Sequence, residues 1–191
     1  MLEMTFQLMY LGSPLILAAS IHGFCIKYDW LNKLIIPIDL GLSFRGKRVF
    51  GDNKTWKVFL LNIVFCTVGS IIQAWIQNKN YFPEWIFLVD YQSYSFLLGI
   101  MLGLGMTFGE LTNSFIKRQS GIPPGERKKG LLGVIFFLFD QVDITIGIWV
   151  FLYLIIRPPT LLILWSIFLT IVTHIVISTM GYLLGLRKTI A

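Results

Sequence analysis

The sequence is poor in charged residues and in cysteine. Only 14% of its 191 residues are Asp, Glu, Lys or Arg, whereas 55% are hydrophobic, and the mean hydropathy is +0.73. A soluble domain of this length carries more charge, so the composition excludes one and indicates a membrane protein. The two cysteines, Cys25 and Cys66, lie in or beside apolar runs without CxxC spacing. We therefore expect buried thiols, and neither a disulfide nor a cysteine metal site.

Long apolar runs make up over half of the chain and leave no room for a separate soluble domain. A helix needs roughly 20 apolar residues to cross a hydrocarbon core of about 30 Å. We predict one all-α integral-membrane domain over residues 1–191, a polytopic protein with five transmembrane helices. The predicted spans are about 6–26, 58–76, 85–108, 141–156 and 161–186.

Basic residues are scarce in the segments that follow the second and fourth spans. Fourteen of the 16 Lys and Arg lie in segments 27–57 and 110–140 or after the last span, and the exceptions are Lys79 and Arg157. By the positive-inside rule, the N-terminus is outside and both long loops are cytoplasmic, in the cell membrane. Because the net charge of +6 is confined to these segments, we expect membrane lipids as neighbours and no nucleic acid. The composition does not indicate the oligomeric state.

The third span contains small residues at a spacing that favours close helix packing. Gly99 and Gly103 are four residues apart, as are Gly105 and Gly109. Such spacing lets helix backbones approach closely. We expect this packing within one subunit, and a dimer interface is the alternative.

Polar residues gather where the third span ends. If the helix continues there, Glu110, Ser114 and Lys117 lie on one face, at i, i+4 and i+7.

Further along the chain, Asp140 and Asp143 are also on one helical face. If span four began at about residue 130, Asp140 and Asp143 would lie near mid-membrane, where each charge would cost several kcal/mol. We therefore predict that residues 131–138 lie along the interface, and that span four starts at about residue 141 with both acids at its N-terminus.

The first long loop combines glycines, bases and acids. Three glycines at 41, 46 and 51 permit tight turns and a close backbone approach to a ligand. The bases between them supply charge for phosphate, and Asp39 and Asp52 are candidates for contact with a metal or a ribose. The alternative is a solvated basic loop that holds anionic lipid headgroups. A nucleotide site explains the glycines and acids better than that alternative.

Three separated segments resemble a known family. The run SFIKR (Ser114–Arg118) followed by DQVD (Asp140–Asp143) resembles the signature of membrane CTP:phosphatidate cytidylyltransferases. The small five-helix branch, the CDP-archaeol synthases, is more similar, because RGKRVFGDNKT (Arg45–Thr55) has the form of its first loop. The chain departs from the family at Glu110, where Asp is usual, and at Lys57-Val58, where Arg-Gly is usual. The segment Arg127–Phe139 also separates the last two motifs more widely than expected.

The resemblance implies a reaction in which CTP and a lipid phosphate give a CDP-lipid and pyrophosphate, in phospholipid biosynthesis. The lipid would be archaeol-type or phosphatidate-type, and Mg²⁺ suits a site of acids and phosphates. We expect the catalytic residues to be Lys117, Arg118 and Ser114, the metal ligands Asp140, Asp143 and Glu110, and the nucleotide-binding residues Arg48, Asp52, Asn53, Lys54 and Thr55.

Two other functions are weighed against this one. A CDP-alcohol phosphotransferase would need a D-x2-D-G-x2-A-R run, which the sequence lacks. A non-catalytic small transporter or lipid-binding scaffold would place ionisable groups along a pathway through the membrane. The candidate groups cluster near one surface instead, so the enzyme is the favoured hypothesis.

Overall fold

The computed structural model describes residues 1–123, 126 and 130–183, and this part of the chain is dominated by five long helices. They are α1 (Leu2–Lys27), α2 (Trp56–Asn78), α3 (Tyr91–Gln119), α4 (Leu131–Leu152) and α5 (Thr160–Leu183). Each is long and apolar enough to cross a membrane, which confirms the predicted all-α fold with five spans. The basic residues 127–129, 187 and 188, and the predicted end of span five at 186, lie outside the described residues.

Helix α3 packs between α2 and α4 and is the central helix. Glycines allow the close approach, because a Cβ on Gly103 would lie 2.6 Å from the Cα of Ile63 on α2. On the opposite side, a Cβ on Gly105 would lie 2.6 Å from the Cα of Ile148 on α4. Real Cβ contacts are longer than this, so only glycine fits at these positions. The structure thus places these glycines at contacts within one chain, as expected from their spacing.

Helices α1 and α5 complete the bundle around this pair of contacts. On α2, Gly69 lies against Pro14 of α1, where an added Cβ would come within 2.7 Å of the proline Cβ. The indole of Trp149 on α4 donates a hydrogen bond to the hydroxyl of Ser166 on α5, at 2.7 Å. Leu98, Leu102 and other fully buried residues fill the centre of the bundle.

Helix α4 begins earlier than predicted. It is continuous from Leu131 to Leu152, so it does not start at about residue 141. Asp140 and Asp143 therefore lie within the helix and not at its N-terminus. The predicted start of the helix was wrong because it treated the acids as unpaired charges, whereas α3 supplies partners for both. Helix α3 continues to Gln119, in agreement with the helical spacing of Glu110, Ser114 and Lys117, so the segment between α3 and α4 is shorter than the predicted loop 110–140.

The first loop contains a small antiparallel hairpin. Strands β1 (Ser43–Phe44) and β2 (Lys47–Arg48) are joined by Arg45 and Gly46, which both have positive φ, at 52° and 74°. Positive φ at both central residues is the conformation of the tight turns that match the twist of a hairpin. The loop is closed at its base, where the backbone N–H of Ile38 donates to the carbonyl of Lys54 at 2.8 Å.

Candidate active site

Two carboxylates and one amide meet where α3 packs against α4. The side-chain nitrogen of Asn113 donates to Oδ1 of Asp140 and to Oδ2 of Asp143, both at 2.6 Å. Asn113 and Asp143 are buried, with relative exposures of 6% and 8%. The carbonyl oxygen of Asn113 has no hydrogen-bond partner among the described residues. A buried unpaired oxygen costs about 1–3 kcal/mol, so a hydrogen-bond donor or a cation beside it would stabilise the cluster.

Glycine sets the distance between the two helices at this cluster. Gly109 lies directly against the backbone of Asp143, and a Cβ there would overlap the Asp143 carbonyl oxygen and come 3.0 Å from the Cα of Ile144. From the α4 side, a Cβ on Gly147 would come 2.8 Å from the backbone nitrogen of Gly109. The short side chains of Asn113 and the two aspartates can therefore reach one another across the interface.

Lysines hold two of the predicted site acids. Lys117 on α3 forms an ion pair and hydrogen bond with Asp140. Lys54 in the first loop pairs with Glu110 on α3, with 2.5 Å between Nζ and Oε2. Both pairs are only partly exposed to solvent. The structure thus brings the three predicted segments together, since each ion pair joins two of them.

Glu110 stands apart from the two aspartates. Its carboxylate is close enough to that of Asp143 for their charges to repel, but its hydrogen-bonding partner is Lys54. Within the described residues, no three His, Cys, Asp or Glu side chains come close enough to hold a metal ion. In this arrangement Glu110 is paired with Lys54, and the groups that meet between α3 and α4 are Asp140, Asp143 and the amide of Asn113.

Asp39 organises the first loop. Its carboxylate accepts hydrogen bonds from the guanidinium of Arg48 at 2.7 Å and from the backbone N–H groups of Gly41, Phe50 and Gly51 at 3.1, 2.9 and 3.0 Å. Burial opposes the charge, but the bonds from Arg48 and the three backbone groups hold the pKa of Asp39 well below its usual range. Since these donors occupy its oxygens, Asp39 supports the loop and is not placed to contact a metal or a ribose.

The predicted nucleotide-binding residues differ in their exposure. Arg48 bridges Asp39 and Asp52, with 2.9 Å to the latter, and the bond to Asp39 raises the pKa of the guanidinium. The side chain of Asp52 is 73% exposed, and Asn53 is also exposed. Thr55 is buried directly before the first turn of α2. The open surface of this segment is thus formed by Asp52, Asn53 and the partly exposed Arg48 and Lys54.

The C-terminal turn of α3 fastens the first loop to the bundle. Arg118 donates to the carbonyl of Phe50 at 3.3 Å and also to the carbonyl of Ile122. Lys47 donates to the carbonyl of Gln119 at 2.6 Å. Ser114, one turn earlier on α3, is buried beside Asn113. Arg118 therefore has a structural contact in addition to any contact with phosphate.

Sequence reasoning missed Asn113 and the burial of Lys57. Asn113 is three residues after Glu110 and four before Lys117, so the helical spacing that selected those two residues also selects it. Lys57 is only 4% exposed and donates to the backbone carbonyl of Cys25 at 3.3 Å. Cys25 is three residues after His22 on α1, so this hydrogen bond brings the end of α1 that carries His22 close to Lys57.

Comparison with known proteins identifies the family. The family model of the CarS-like CDP-archaeol synthases matches residues 34–190. The chain belongs to the CDP-archaeol synthase family. This confirms the resemblance found in the three motifs, and the matched region contains every candidate residue described above.

Several relatives in the CDP-archaeol synthase family are similar over most of their length. The CDP-archaeol synthase of Pyrococcus furiosus is 33% identical over 76% of this chain and 78% of its own, and that of Methanoculleus marisnigri is 31% identical over 80% and 87%. A solved structure, described as an intramembrane enzyme for archaeal membrane lipids biosynthesis, has a TM-score of 0.64 and 18% identity. It covers 90% of this chain and 92% of that one, and supports the five-helix fold.

Proposed function

We propose that this protein transfers the cytidylyl group of CTP to an archaeol-type lipid phosphate at the Asp140–Asp143 site. The enzyme class, a CTP-dependent lipid cytidylyltransferase, follows from membership of the family. The observation that carries the assignment to this site is the meeting of Asp140, Asn113 and Asp143 beside Lys117. A non-catalytic transporter or scaffold is not favoured, because these ionisable groups pair with one another at one end of the bundle.

The reaction forms one bond and breaks one. An oxygen of the lipid phosphate attacks the α-phosphorus of CTP, and the bond from that phosphorus to the bridging oxygen of the β-phosphate breaks. The electron pair of the broken bond leaves with pyrophosphate, so negative charge moves toward the leaving group. Such a transfer depends on positioning and on compensation of charge more than on covalent catalysis. We assign that compensation to Lys117 and Arg118, with Ser114 beside them on α3.

Substrate binding requires the paired residues of the site to exchange partners. Lys54 is held by Glu110, and Lys117 by Asp140. When phosphates enter, the two lysines turn to them and release the two acids. Lys54, with Arg48, Asp52, Asn53 and Thr55, then belongs to the nucleotide side of the site. Because each lysine carries its own counter-charge before binding, the site has no large unbalanced charge to bury.

The residues present fit a magnesium ion. Asp140 and Asp143 offer carboxylate oxygens, and the amide of Asn113, whose carbonyl oxygen has no partner among the described residues, lies between them. Mg²⁺ prefers oxygen ligands and retains several waters. Bound there, it would neutralise the phosphate charge that builds up in the transition state. We keep Glu110 as an assisting ligand, available once Lys54 has moved away.

The archaeol-type lipid is inferred from relatives named CDP-archaeol synthase. A cavity of about 400 Å³ lies between α1, α3, α4 and α5, and its lining includes Leu15, Leu102, Ile148 and Trp149. It also reaches Thr145, half a turn from Asp143 on α4. The size and lining of this cavity suit a hydrocarbon chain near the site.

We place the site at the cytoplasmic face of the cell membrane. The basic first loop, the C-terminal end of α3 and the acids of α4 meet at one end of the bundle. The short segment after α2, which contains Lys79, lies at the other end of that helix. A cytoplasmic site agrees with the excess of Lys and Arg in the long loops and with the supply of CTP.

Membrane vesicles with radiolabelled CTP test the reaction. Inverted vesicles that contain the protein receive Mg²⁺, a lipid phosphate and CTP labelled at either the α- or the γ-phosphate. We expect the α-label in the lipid fraction and the γ-label in pyrophosphate. Label from the γ-phosphate in the lipid would mean phosphate transfer and would contradict the proposal.

The same vesicles test the lipid and the orientation. Archaeol phosphate should be converted faster than phosphatidate, and the reverse order would overturn the lipid assignment. CTP does not cross membranes, so sealed right-side-out vesicles should incorporate almost no label. Incorporation by those vesicles alone would place the site on the other face.

A further inference from the structure

Asn113 occupies the position between the two site aspartates. Its amide nitrogen lies 2.6 Å from an oxygen of each carboxylate, and the side chain is 6% exposed. Carboxylates this close repel each other, and the two N–H groups of the amide offset that repulsion. Asn113 thus bridges the two carboxylates without a metal ion, while Lys117 pairs with Asp140 alone.

The other end of the same amide has no partner in the described structure. The carbonyl oxygen of Asn113 is buried and accepts no hydrogen bond from any described residue. Rotating the amide by about 180° exchanges its oxygen and nitrogen, which have nearly the same shape. After rotation, the carbonyl oxygen would lie beside both carboxylate oxygens. Three oxygens in that arrangement repel unless a cation lies among them.

The two aspartates provide fewer ligands than a magnesium ion accepts, so an amide oxygen can be a further ligand. Within the part of the chain that the structure describes, no third His, Cys, Asp or Glu joins Asp140 and Asp143 in a metal-binding group. Glu110 is held by Lys54. Neighbouring oxygens around an octahedral Mg²⁺ ion are about 3.0 Å apart, given metal–oxygen distances of about 2.1 Å. The separations of 2.6 Å at Asn113 are shorter, so the three groups would need to move apart by only about 0.4 Å to surround the ion.

We propose that the side-chain oxygen of Asn113 is the third protein ligand of the cation held by Asp140 and Asp143. The amide has two orientations, with its NH₂ group toward the acids without the cation and its carbonyl toward the cation when it is bound. This inference rests on the proposed function, since it names a ligand at the same site. The proposal adds Asn113 to the predicted site, which consists otherwise of the acids and of the residues of the three motifs.

The experiment measures binding of Mg²⁺ alone to the purified protein in detergent, without CTP. Isothermal calorimetry and the rise in melting temperature with Mg²⁺ concentration give two independent dissociation constants. For Asn113→Ala we expect Mg²⁺ binding at least tenfold weaker than in the wild type, because a ligand is lost. If Asn113 only separated the carboxylates, its removal would leave Mg²⁺ affinity unchanged or tighter, and that result would overturn the proposal.

Asn113→Asp keeps the test decisive if the alanine variant does not fold. It replaces the amide with two oxygens, so Mg²⁺ should bind at least as tightly as in the wild type. Without Mg²⁺ the three carboxylates should repel and lower the melting temperature. Weaker Mg²⁺ binding by this variant would argue against an oxygen ligand at position 113.

Asn62 offers a matched control and Asp140 a reference. Asn62 is also buried, donates to Thr107 at 3.1 Å and has an unpaired carbonyl oxygen, but lies away from the acids. Asn62→Ala should lower stability without changing the Mg²⁺ dissociation constant. If Asp140→Asn abolishes binding and Asn113→Ala does not, only the role of Asn113 fails. If neither variant changes binding, the proposed metal site fails with it.

Discussion

At the scale of single residues, Asp39 shows how a buried charge can shape a binding loop. The carboxylate accepts hydrogen bonds from both sides of the hairpin: the backbone of Gly41 lies before it, and Arg48 and the backbone of Phe50 and Gly51 lie on the other side. These bonds fix the turn in front of Asp52 and Asn53, which are exposed. The charge of Asp39 therefore acts on the exposed Asp52 and Asn53 through the conformation of the loop.

Replacing Asp39 with Asn should loosen this loop. A hydrogen bond to a charged group contributes roughly 1.5–3 kcal/mol, so we expect loop opening to become easier by about 2 kcal/mol. The amide hydrogens of Phe50 and Gly51 should then exchange roughly 30-fold faster in a hydrogen–deuterium experiment. Asp29→Asn, at an exposed acid of the same loop, is the control. Unchanged exchange in Asp39→Asn would show that the charge does not hold the loop.

The pH dependence of this protection follows from the lowered pKa of Asp39. The pKa of an unfolded Asp is about 3.9. Because folding lowers it, the stabilisation is fully present above that value and is lost as the pH falls through the folded pKa. After correction for intrinsic exchange rates, the protection of Phe50 and Gly51 should be the same at pH 7 and pH 5. A loss of protection between those two values would contradict the assignment.

Residue types and spacing predict part of the site but not its pairing. The helical face that holds Glu110 and Lys117 is readable from the sequence, and so is the pair Asp140 and Asp143. The partners are not, because Lys54 and Glu110 are far apart in the chain and meet only when the first loop folds onto α3. The spacing of Asn113 from Glu110 and Lys117 places it on the same helical face. Its residue type alone does not indicate a functional role, because an amide inside a helix is often only a packing residue.

At the scale of elements, the contact of α3 with α4 decides where the two aspartates stand. Gly105 and Gly109 on α3 and Gly147 on α4 bring the two backbones together, so that Asp143 faces Asn113. This contact also explains why α4 can begin at Leu131 and carry both acids within the helix. Paired acids can be accommodated there at a lower cost than isolated ones.

Gly109→Ala tests this contact. The added methyl group would meet the backbone of Asp143, so we expect a loss of about 1–3 kcal/mol in the free energy of unfolding and a lower catalytic rate. Gly23→Ala on α1 is the matched control, because a Cβ there has nothing within 4 Å. Its stability should stay within about 1 kcal/mol of the wild type. Equal effects of the two substitutions in an unfolding titration would refute the role of Gly109.

The sequence predicts the number and approximate position of the helices better than the residues at which they begin and end. Long apolar runs identify all five spans, since the thickness of the membrane sets their length. The start of α4 could not be predicted, because it depends on charges that are neutralised by another helix. A sequence window around Asp140 contains the acid and not its partner Lys117.

At the scale of the whole molecule, the five helices hold a small polar site at one end of an apolar bundle. The first loop, α3 and α4 each supply a part, and the ion pairs of Lys54 with Glu110 and of Lys117 with Asp140 join them. The remaining helices, α1 and α5, border the apolar cavity. This division matches the two substrates, a charged nucleotide and a lipid phosphate with hydrocarbon chains.

The catalytic role of the two aspartates is tested by the rate of CDP-lipid formation by purified Asp140→Asn and Asp143→Asn variants at saturating CTP and Mg²⁺. Each should be at least 100-fold slower than the wild type, because the amide removes a charge that the reaction needs. Asp90→Asn is the control, since Asp90 caps the opposite end of α3 and Asn is an equally good cap. It should retain the wild-type rate. Near wild-type rates in both site variants, with folded protein, would contradict the central claim that Asp140 and Asp143 form the catalytic centre.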